Sequence, residues 1–365
     1  MLMELSKTFL IAEAGSNHNG NVRDAKKLID IAKAAGANSV KFQFIFAEGL
    51  YLPQFLDEGQ YLPSSVYEQR KREEFSDEEW RVIWGHAKAV DIDISASVFC
   101  SRGIKLLRKL GATYVKIAST DLTNHSLISQ ACESFPAVIL STGMASLGEI
   151  SLAVKAALRS NPKVDLKLMH CVSLYPCNFS SAKIKRISAL KSSFGLDVGY
   201  SDHTEQEHSA LLAWQEGARL FEKHFTFDQT LPGFDHAHAL SPNELSSYCH
   251  LLKECSSAVV WSESQDSDEG GEAETKIRAR RGIYASKDLK KGHLISESDI
   301  LYVRPSTAYH CSDPGELIGS ILESDVPKFG AIGVNGTVTQ VDSNASAAQS
   351  YWRKEMKQKK MYQND

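Results

Sequence analysis

The chain has 365 residues, of which 42% are hydrophobic and 24% are charged. This composition is close to the average of folded proteins and excludes an intrinsically disordered chain, a collagen and a disulfide-rich scaffold. With 41 basic and 45 acidic residues, the net charge of −4 is too balanced for a protein whose main partner is a nucleic acid. Seven cysteines are scattered without a Cys-x-x-Cys pair, and no apolar run is long enough to span a membrane. We therefore expect a cytoplasmic protein with free thiols that binds neither a nucleic acid nor a membrane.

Eight short apolar segments predict the strands of a parallel sheet. They are apolar along their whole length, as expected when helices cover the sheet. The predicted strands are Phe9–Ala14, Ser39–Phe44, Ile92–Ser97, Tyr114–Ala118, Ala137–Ser141, Leu166–His170, Asp197–Ser201 and Leu220–His224. Amphipathic stretches such as Val22–Ala35, which ends at Gly36, separate most of them. This pattern favours a (β/α)8 TIM barrel over a doubly wound sheet, since no Gly-x-Gly-x-x-Gly motif follows the first strand.

The other segments predict a long loop and a second domain. Ile45–Asp77 is too long for an ordinary connection, and its aromatic residues suggest an ordered loop over a site. A last helix, Pro242–Trp261, would end a barrel domain of residues 1–261. Residues 262–279 are acidic and lack periodicity, which predicts a linker. Residues 280–342 predict a small, mostly β domain, and residues 343–365 predict a polar tail.

Polar residues stand at the carboxyl end of nearly every predicted strand. In a barrel these ends converge on one mouth, so that residues distant in sequence become neighbours. The polar residues at or just after the strand ends are Glu13, Lys41, Gln43, Ser97, Lys116, Ser119, Asp121, Ser141, Ser173, Tyr175, Ser201, His203, Glu222 and His224. Their common position predicts a functional site at the mouth.

Two histidines and two lysines indicate the chemistry of this site. His203 and His224 end neighbouring strands and suit a labile divalent cation used as a Lewis acid, although each could instead bond a carboxylate. Lys41 and Lys116 lie in apolar strands and need an anion, which could be a structural carboxylate or a bound phosphate or carboxylate. The neighbouring hydroxyl groups favour a bound anion.

The carboxylates have several possible roles. Glu13, Asp121, Glu222 and Asp235 could orient a hydroxylated substrate, act as a general base or form structural ion pairs. The ion-pair interpretation is simplest for Glu222, which stands beside Lys223.

The motifs around these residues resemble the sialic acid synthase family. They are Ile11–Gly20, Val40–Gln43, Val115–Ser119, Ser141–Met144, Tyr200–His203 and Phe221–Thr226, in family order. Arg280–Ala285 and Lys287–Gly292 resemble the antifreeze-like domain that this family carries, so that the resemblance covers about residues 8–340. It implies a TIM barrel followed by a small antifreeze-like domain. The implied reaction condenses phosphoenolpyruvate with an N-acetylated hexose, N-acetylmannosamine or a close analogue, to a nine-carbon 2-keto sugar acid with release of phosphate.

The resemblance also implies a role for each site residue. His203 and His224 would hold a divalent metal, Mn²⁺ or Mg²⁺, and the catalytic carboxylates would be Glu13, Asp121 and Glu222. Phosphoenolpyruvate would be bound by Lys41, Ser97, Lys116, Ser119, Ser141, Ser173 and Ser201. The acyl sugar would be contacted by Glu13, Gln43, Tyr175 and Asp235. Arg304 of the partner subunit would reach in from its antifreeze-like domain, which requires a domain-swapped homodimer.

Two departures from the family pattern leave the sugar open. Ser97 begins a Ser-Val-Phe where the family usually has Thr-Pro-Phe, and Thr120-Asp121 stands where it often has Gly-Glu. A legionaminic, pseudaminic or spore-coat sugar acid is therefore the alternative product. A rival from another class is a non-catalytic barrel that binds polysaccharide or ice, although the retained histidines and lysines argue against it.

Overall fold

The structure, a computed structural model, describes residues 8–258, 272–307 and 314–332. The chain divides into two compact units, residues 1–260 and residues 261–365. No helix among the described residues has the length and apolar character needed to cross a membrane.

Eight parallel strands of the first unit close into a barrel. The strands of this unit are β1 (Phe9–Gly15), β2 (Ser39–Phe44), β3 (Gln54–Asp57), β4 (Gln60–Pro63), β5 (Asp93–Val98), β6 (Tyr114–Ile117), β7 (Ala137–Ser141), β8 (Asp165–His170), β9 (Val198–Asp202) and β10 (Leu220–His224). Around the barrel they follow the order β1-β2-β5-β6-β7-β8-β9-β10, and β10 pairs with β1. The predicted TIM barrel is confirmed.

Helices cover the outside of the barrel. They are α1 (Val22–Ala35), α2 (Ser65–Glu73), α3 (Asp77–Ala89), α4 (Ser101–Leu110), α5 (His125–Ser134), α6 (Leu147–Ser160), α7 (Arg186–Phe194), α8 (His208–Gln215) and α9 (Pro242–Ala258). Local sequence explains several ends. Asn21 caps α1 by accepting from two backbone N–H groups, and α1 ends at Gly36 in the left-handed region. Ser76 and Ser146 open α3 and α6 with capping boxes.

Side-chain alternation divides each strand between two cores. Residues i and i+2 of a strand share a face, so every second residue points into the barrel. Inside, six buried apolar residues form a plug below the charged residues of the mouth: Ile11, Tyr114, Ala137, Ile139, Met169 and Leu220. The alternate residues of the strands pack outward into the large apolar layer beneath the helices. The plug excludes water from the barrel interior, so charges above it are desolvated on that side.

The segment 45–77, predicted as an ordered loop, contains regular structure. β3 and β4 form an antiparallel hairpin, and α2 follows, capped by Ser64. Near the end of the segment, Phe75 is buried and stacks on His18, with ring centroids 4.4 Å apart. Arg70 of α2 lies over the ring of Phe234, 3.7 Å from its centroid. The end of this segment therefore packs beside the loop that follows β1.

The second unit has its own small core. Its strands, β11 (Gly282–Ala285) and β12 (Ile300–Val303), pair antiparallel, and a helix α10 (Glu272–Ala279) precedes them. The core consists of Ile283, Ala285, Leu289, Ile295, Ile300, Leu317, Leu322, Val326 and Ile332. The sequence predicted a linker over residues 262–279, but the structure has the helix α10 in the described part of this segment. The predicted tail, residues 343–365, lies outside the described residues.

A buried carboxylate organises this second core. Asp299 is 1% exposed and accepts hydrogen bonds from Ser296 N at 2.9 Å and His293 Nε2 at 2.8 Å, while Lys287 Nζ lies at 2.7 Å. The bond from Lys287, with those from His293 and Ser296, holds the pKa of Asp299 well below its usual range. Because its charged form is the bonded one, Asp299 contributes stability only while it is ionised.

Candidate active site

Two lysines and two glutamates form a buried ion network at the carboxyl end of the barrel. Lys41 Nζ contacts Glu13 Oε2 and lies 3.5 Å from Glu222 Oε2, while Lys116 Nζ contacts Glu222 Oε1. None of the four residues is more than 5% exposed. An uncompensated charge at this depth would be strongly destabilising, and each of these charges has an opposite neighbour. In the structure, the carboxylates of Glu13 and Glu222 balance both lysines, and a bound anion, the other possibility that the sequence left open, would join this network as an additional partner of the lysines.

The two glutamates of this network differ in their affinity for protons. Burial raises the pKa of Glu13 to about 7, although Lys41 opposes the shift. Burial also acts to raise the pKa of Glu222, but Lys116 and Lys41 outweigh it and hold that pKa well below its usual range. Near neutral pH, Glu222 is therefore ionised and Glu13 can gain or lose a proton. Two carboxylates with separated pKa values are what general acid–base catalysis requires.

Hydroxyl groups surround the lysines. Lys41 Nζ donates to Ser97 Oγ at 2.8 Å, and Ser201 Oγ donates to Glu222 Oε1 at 3.0 Å. Ser97 and Ser201 are both buried at the ends of their strands. The mouth therefore offers ammonium and hydroxyl donors at one place, a combination that suits a phosphate or carboxylate ligand.

A second group of donors lies around Gly143, next to the buried Ser141 at the end of β7. Gly143 N donates to Ser119 Oγ at 3.0 Å, and Ser119 Oγ is 3.2 Å from Cys171 Sγ. A Cβ at position 143 would lie 2.4 Å from Ser173 Oγ and 2.7 Å from Ser119 Oγ, so a residue larger than glycine would displace these hydroxyl groups. The structure thus brings Ser119, Ser141 and Ser173 close to one turn. Hydroxyl groups gathered at one turn beside a backbone amide are groups that can donate hydrogen bonds to an anion.

Three histidines gather around Tyr175. The centroid of the half-exposed Tyr175 ring is 4.2 Å from that of His203, 5.0 Å from that of His238 and 5.9 Å from that of His224. The rings of His203 and His224 are 5.7 Å apart, as expected for residues at the ends of neighbouring strands. His203 Nδ1 is 2.7 Å from the carbonyl oxygen of Val172 and donates to it, so His203 Nε2, 3.2 Å from Ser201 Oγ, is the ring nitrogen with a free lone pair.

Burial keeps these imidazoles neutral. It lowers the pKa of His203 to about 3, with a contribution from nearby His224, and it lowers the pKa of His224 to about 4 against the opposing effect of Asp235. Burial lowers the pKa of His238 as well. Neutral imidazole is the form that binds a metal ion.

An aspartate lies between two of the histidines. Asp235 Oδ2 is 3.8 Å from His224 Nδ1, and Asp235 Oδ1 is 3.7 Å from His238 Nε2. Potential ligand atoms of these three residues lie within 4.8 Å of one another. Both ring nitrogens are buried, and neither has a hydrogen-bond partner within the described part of the chain. Nitrogen and carboxylate donors so arranged fit a divalent cation.

The residues predicted to contact a sugar also meet at the mouth. Gln43 Nε2 donates to Glu13 Oε1 at 3.0 Å. Gly15 has φ +56°, and a Cβ there would lie 2.5 Å from Asp235 Oδ2 and 3.4 Å from Gln43 Nε2. Together with Tyr175, these side chains line the outer part of the mouth, above the lysine–glutamate network.

Two predicted residues are not brought into this cluster by any described contact. Asp121 lies in a short 3-10 turn, where its oxygens accept from Thr120 Oγ1 at 3.1 Å and Asn124 Nδ2 at 3.3 Å. Its carboxylate is thus engaged by its own neighbours. Arg304 is exposed after β12, in the second unit.

Glu222 is ion-paired, as one interpretation of the sequence held, but its partners are Lys116 and Lys41 and not its neighbour Lys223. The two residues are adjacent on β10 and point to opposite faces of the barrel wall. Lys223 Nζ instead lies 3.2 Å from Asp202 Oδ2, to which Tyr248 Oη of α9 donates at 3.0 Å. This outward pair joins β9, β10 and α9 behind the active site.

One residue near the cluster is absent from the residues predicted for the site. His238 follows a Pro-Gly turn, yet its ring centroid lies 5.7 Å from that of His224. The available signal was the Asp-x-x-His spacing of Asp235 and His238, which share one short turn. His236 in that turn is structural, since its Nδ1 bonds Thr226 Oγ1 at 2.7 Å.

Comparisons with known proteins match both units. The sequence matches the NeuB family over residues 28–262 and the SAF domain over residues 280–328. It is 34% identical to the N,N′-diacetyllegionaminic acid synthase of Campylobacter jejuni, over 87% of this chain and 96% of that protein. It is 29% identical to the N-acetylneuraminate-9-phosphate synthase of Drosophila melanogaster, over 88% and 94%. The solved structure of a sialic acid synthetase from Leptospira borgpetersenii matches 75% of this chain and 91% of its own, with a TM-score of 0.64 and 32% identity.

Proposed function

The chain belongs to the NeuB family of sugar acid synthases, and we propose that it condenses phosphoenolpyruvate with an N-acetylated hexose. The product is a nine-carbon 2-keto sugar acid, and phosphate is released. The observation that carries this proposal is the pair of buried lysines at the mouth, beside hydroxyl and amide donors. A small molecule with both a phosphate and a carboxylate is the ligand that such a set of donors suits best.

The lysines and serines bind and orient phosphoenolpyruvate. Lys41 with Ser97, and Lys116, supply ammonium and hydroxyl donors inside the mouth. Ser119, Ser141 and Ser173 receive the remaining oxygens, and the amide of Gly143 positions Ser119 by donating to its Oγ. Donors held in place before the reaction stabilise the charge of the departing phosphate without reorganisation.

A divalent cation held by His203 and His224, Mn²⁺ or Mg²⁺, would supply a Lewis acid for the carbonyl group of the sugar. The neutral, buried imidazoles described above suit this role. Gln43, Tyr175 and Asp235 hold the open-chain sugar so that its aldehyde faces the enol carbon.

The glutamates move the protons. As the enol carbon bonds to the aldehyde carbon, the carbonyl oxygen takes the proton of Glu13, whose pKa of about 7 allows it to carry one. Water adds to the positive C2 and gives a proton to Glu222, which is ionised. The tetrahedral intermediate then breaks its C–O bond to phosphate, which takes the proton of the remaining hydroxyl group. Transfer of the proton from Glu222 to Glu13 completes the cycle.

Isotope labelling tests this reaction. Phosphoenolpyruvate with ¹⁸O in the bridging position should give labelled phosphate and an unlabelled keto acid, because the C–O bond breaks. Label retained in the keto acid would contradict the proposal. Glu13→Gln should lower kcat by about 10² or more with little change in the KM for phosphoenolpyruvate, since the variant cannot donate the proton.

The choice of sugar has two candidates. N-acetylmannosamine is favoured by the similarity to the sialic acid synthetase from Leptospira borgpetersenii. A sugar with two acetamido groups is favoured by the 34% identity to N,N′-diacetyllegionaminic acid synthases from two organisms. Phosphate release with each sugar, followed by mass spectrometry of the product, separates them. If neither sugar supports phosphate release with any divalent cation, the proposed condensation is wrong.

The second unit completes the site of a neighbouring chain in this proposal. The exposed Arg304 would contact the sugar in the other subunit of a domain-swapped homodimer. Mixing inactive Lys41→Met and Arg304→Ala chains tests the exchange, because only a swapped heterodimer contains one intact site. Statistical mixing should restore about a quarter of the native activity. No restoration, with subunit exchange verified, would show that each chain uses its own arginine.

A further inference from the structure

The mouth holds more metal-ligating groups than the proposed function uses. One potential ligand atom from each of His224, Asp235 and His238 lies within 4.8 Å of the other two. The ring of His224 is 5.7 Å from the ring of His203 and also 5.7 Å from the ring of His238. His224 is therefore shared between the pair used above and a second set of donors.

The second set lacks the hydrogen bonds that would explain it as a structural cluster. Its two N···O distances, 3.8 and 3.7 Å, are too long for hydrogen bonds. His224 is 7% exposed, and its Nδ1 and His238 Nε2 are both buried without a partner in the described residues. A buried polar atom left unpaired costs about 1–3 kcal/mol. Donor atoms about 2 Å from a common ion lie roughly 3–4 Å apart, so a cation between them would satisfy both nitrogens.

We infer that His224, Asp235 and His238 together bind a divalent cation of borderline softness, so that Asp235 and His238 act as metal ligands in addition to His203 and His224. The inference shares His224 and Asp235 with the proposed function, in which Asp235 also contacts the sugar. Two imidazoles and one carboxylate favour Zn²⁺, Co²⁺ or Mn²⁺ over Mg²⁺, which prefers an all-oxygen shell. The contribution of His238 is therefore the choice of metal and the strength of its binding.

Direct metal binding to the full chain tests this inference without reference to turnover. The metal-free protein is titrated with Co²⁺ or Mg²⁺ in equilibrium dialysis, and the visible spectrum of the Co²⁺ form is recorded. Native protein should bind Co²⁺ more tightly than Mg²⁺. His238→Ala and Asp235→Asn should each weaken Co²⁺ binding by about tenfold or more and change the spectrum. His250→Ala, at an exposed histidine of α9, is the matched control and should bind as the native protein does.

A measurement on the native chain protects the test against misfolded variants. Co²⁺ should protect His238, but not His250, from diethyl pyrocarbonate in a peptide-mapping experiment. The inference is overturned if His238→Ala retains native Co²⁺ affinity and spectrum, or if Co²⁺ leaves the modification of His238 unchanged. Phosphate release by the native enzyme is measured in parallel. If Co²⁺ binding depends on His238 but the native enzyme releases no phosphate, the proposed function alone is refuted. If the enzyme releases phosphate but Co²⁺ binding does not depend on His238, this inference alone is refuted.

Discussion

Replacing Glu222 by Gln removes the negative charge that touches both buried lysines. In the native chain Glu222 contacts Lys116, lies 3.5 Å from Lys41 and accepts from Ser201. Glutamine keeps the volume and can still accept a hydrogen bond, but two ammonium groups then share Glu13 alone. Removing one partner of a buried ion pair costs about 3–5 kcal/mol. For a domain of this size that corresponds to a fall of the melting temperature by roughly 6–12 °C.

Phosphoenolpyruvate should restore part of the stability lost by Glu222→Gln. The substrate brings anionic groups to lysines that the variant leaves uncompensated, and a ligand at 100 times its Kd stabilises a protein by about 2.7 kcal/mol. The substrate should therefore raise the melting temperature of the variant more than that of the native chain. The KM for phosphoenolpyruvate should be equal or lower in Glu222→Gln than in the native chain. Its kcat should be lower by about 10² or more, because the attacking water loses its proton acceptor.

Differential scanning fluorimetry and steady-state phosphate release measure these effects. Glu254→Gln, at an exposed position on α9, is the control and should change stability by less than about 0.5 kcal/mol. The reasoning fails if Glu222→Gln melts at the native temperature without substrate. It fails equally if the substrate stabilises the variant less than it stabilises the native chain.

Three further changes test other parts of the molecule. Gly143→Ala places a Cβ 2.4 Å from Ser173 Oγ and should raise the KM for phosphoenolpyruvate by roughly tenfold or more, with an unchanged KM for the sugar. Lys223→Met should lower the free energy of unfolding of the barrel by about 3 kcal/mol in denaturant titrations. The double variant with Asp202→Asn should lose less than the sum of the two single variants, because the two charges compensate each other. The pKa of Asp299 is lower in the folded chain than in the unfolded chain, where it is about 4. Ionised Asp299 therefore stabilises the second unit above that pH, and this stabilisation is lost as the pH falls further. Asp299→Asn should therefore destabilise the second unit at pH 7 and make its stability depend less on pH in the acid range. Acid unfolding followed by circular dichroism measures this dependence, and equal acid sensitivity of the variant and the native chain would contradict the prediction.

Strand positions were predictable because their signals are local. Ser39–Phe44, Ala137–Ser141 and Leu220–His224 have the same bounds in the sequence prediction and in the structure. Each combines apolar residues with nearby turn or cap residues, and such local signals need no information from elsewhere in the chain. The number of these runs also favoured the closed barrel, in which polar strand ends are expected at one mouth.

The segment 45–77 shows where local signals end. Every residue of the β3–β4 hairpin is exposed, so its strands carry no alternation of buried and exposed side chains to reveal them. Their pairing is a property of the backbone in the folded molecule, and the sequence indicated only an ordered, aromatic-rich loop.

The sequence by itself determined which ionisable groups reach the mouth, since Lys41, Lys116, His203 and His224 follow from strand ends and motifs. Only the tertiary structure decided how those groups pair. Glu222 and Lys223 are chain neighbours, but strand alternation sends one to the buried lysines and the other to Asp202 behind the wall. His238 reaches His224 because the turn after β10 folds back over the barrel, bringing residues 14 positions apart in sequence within range of one ion. Such pairings depend on distances across the closed barrel, which no linear pattern of residues records.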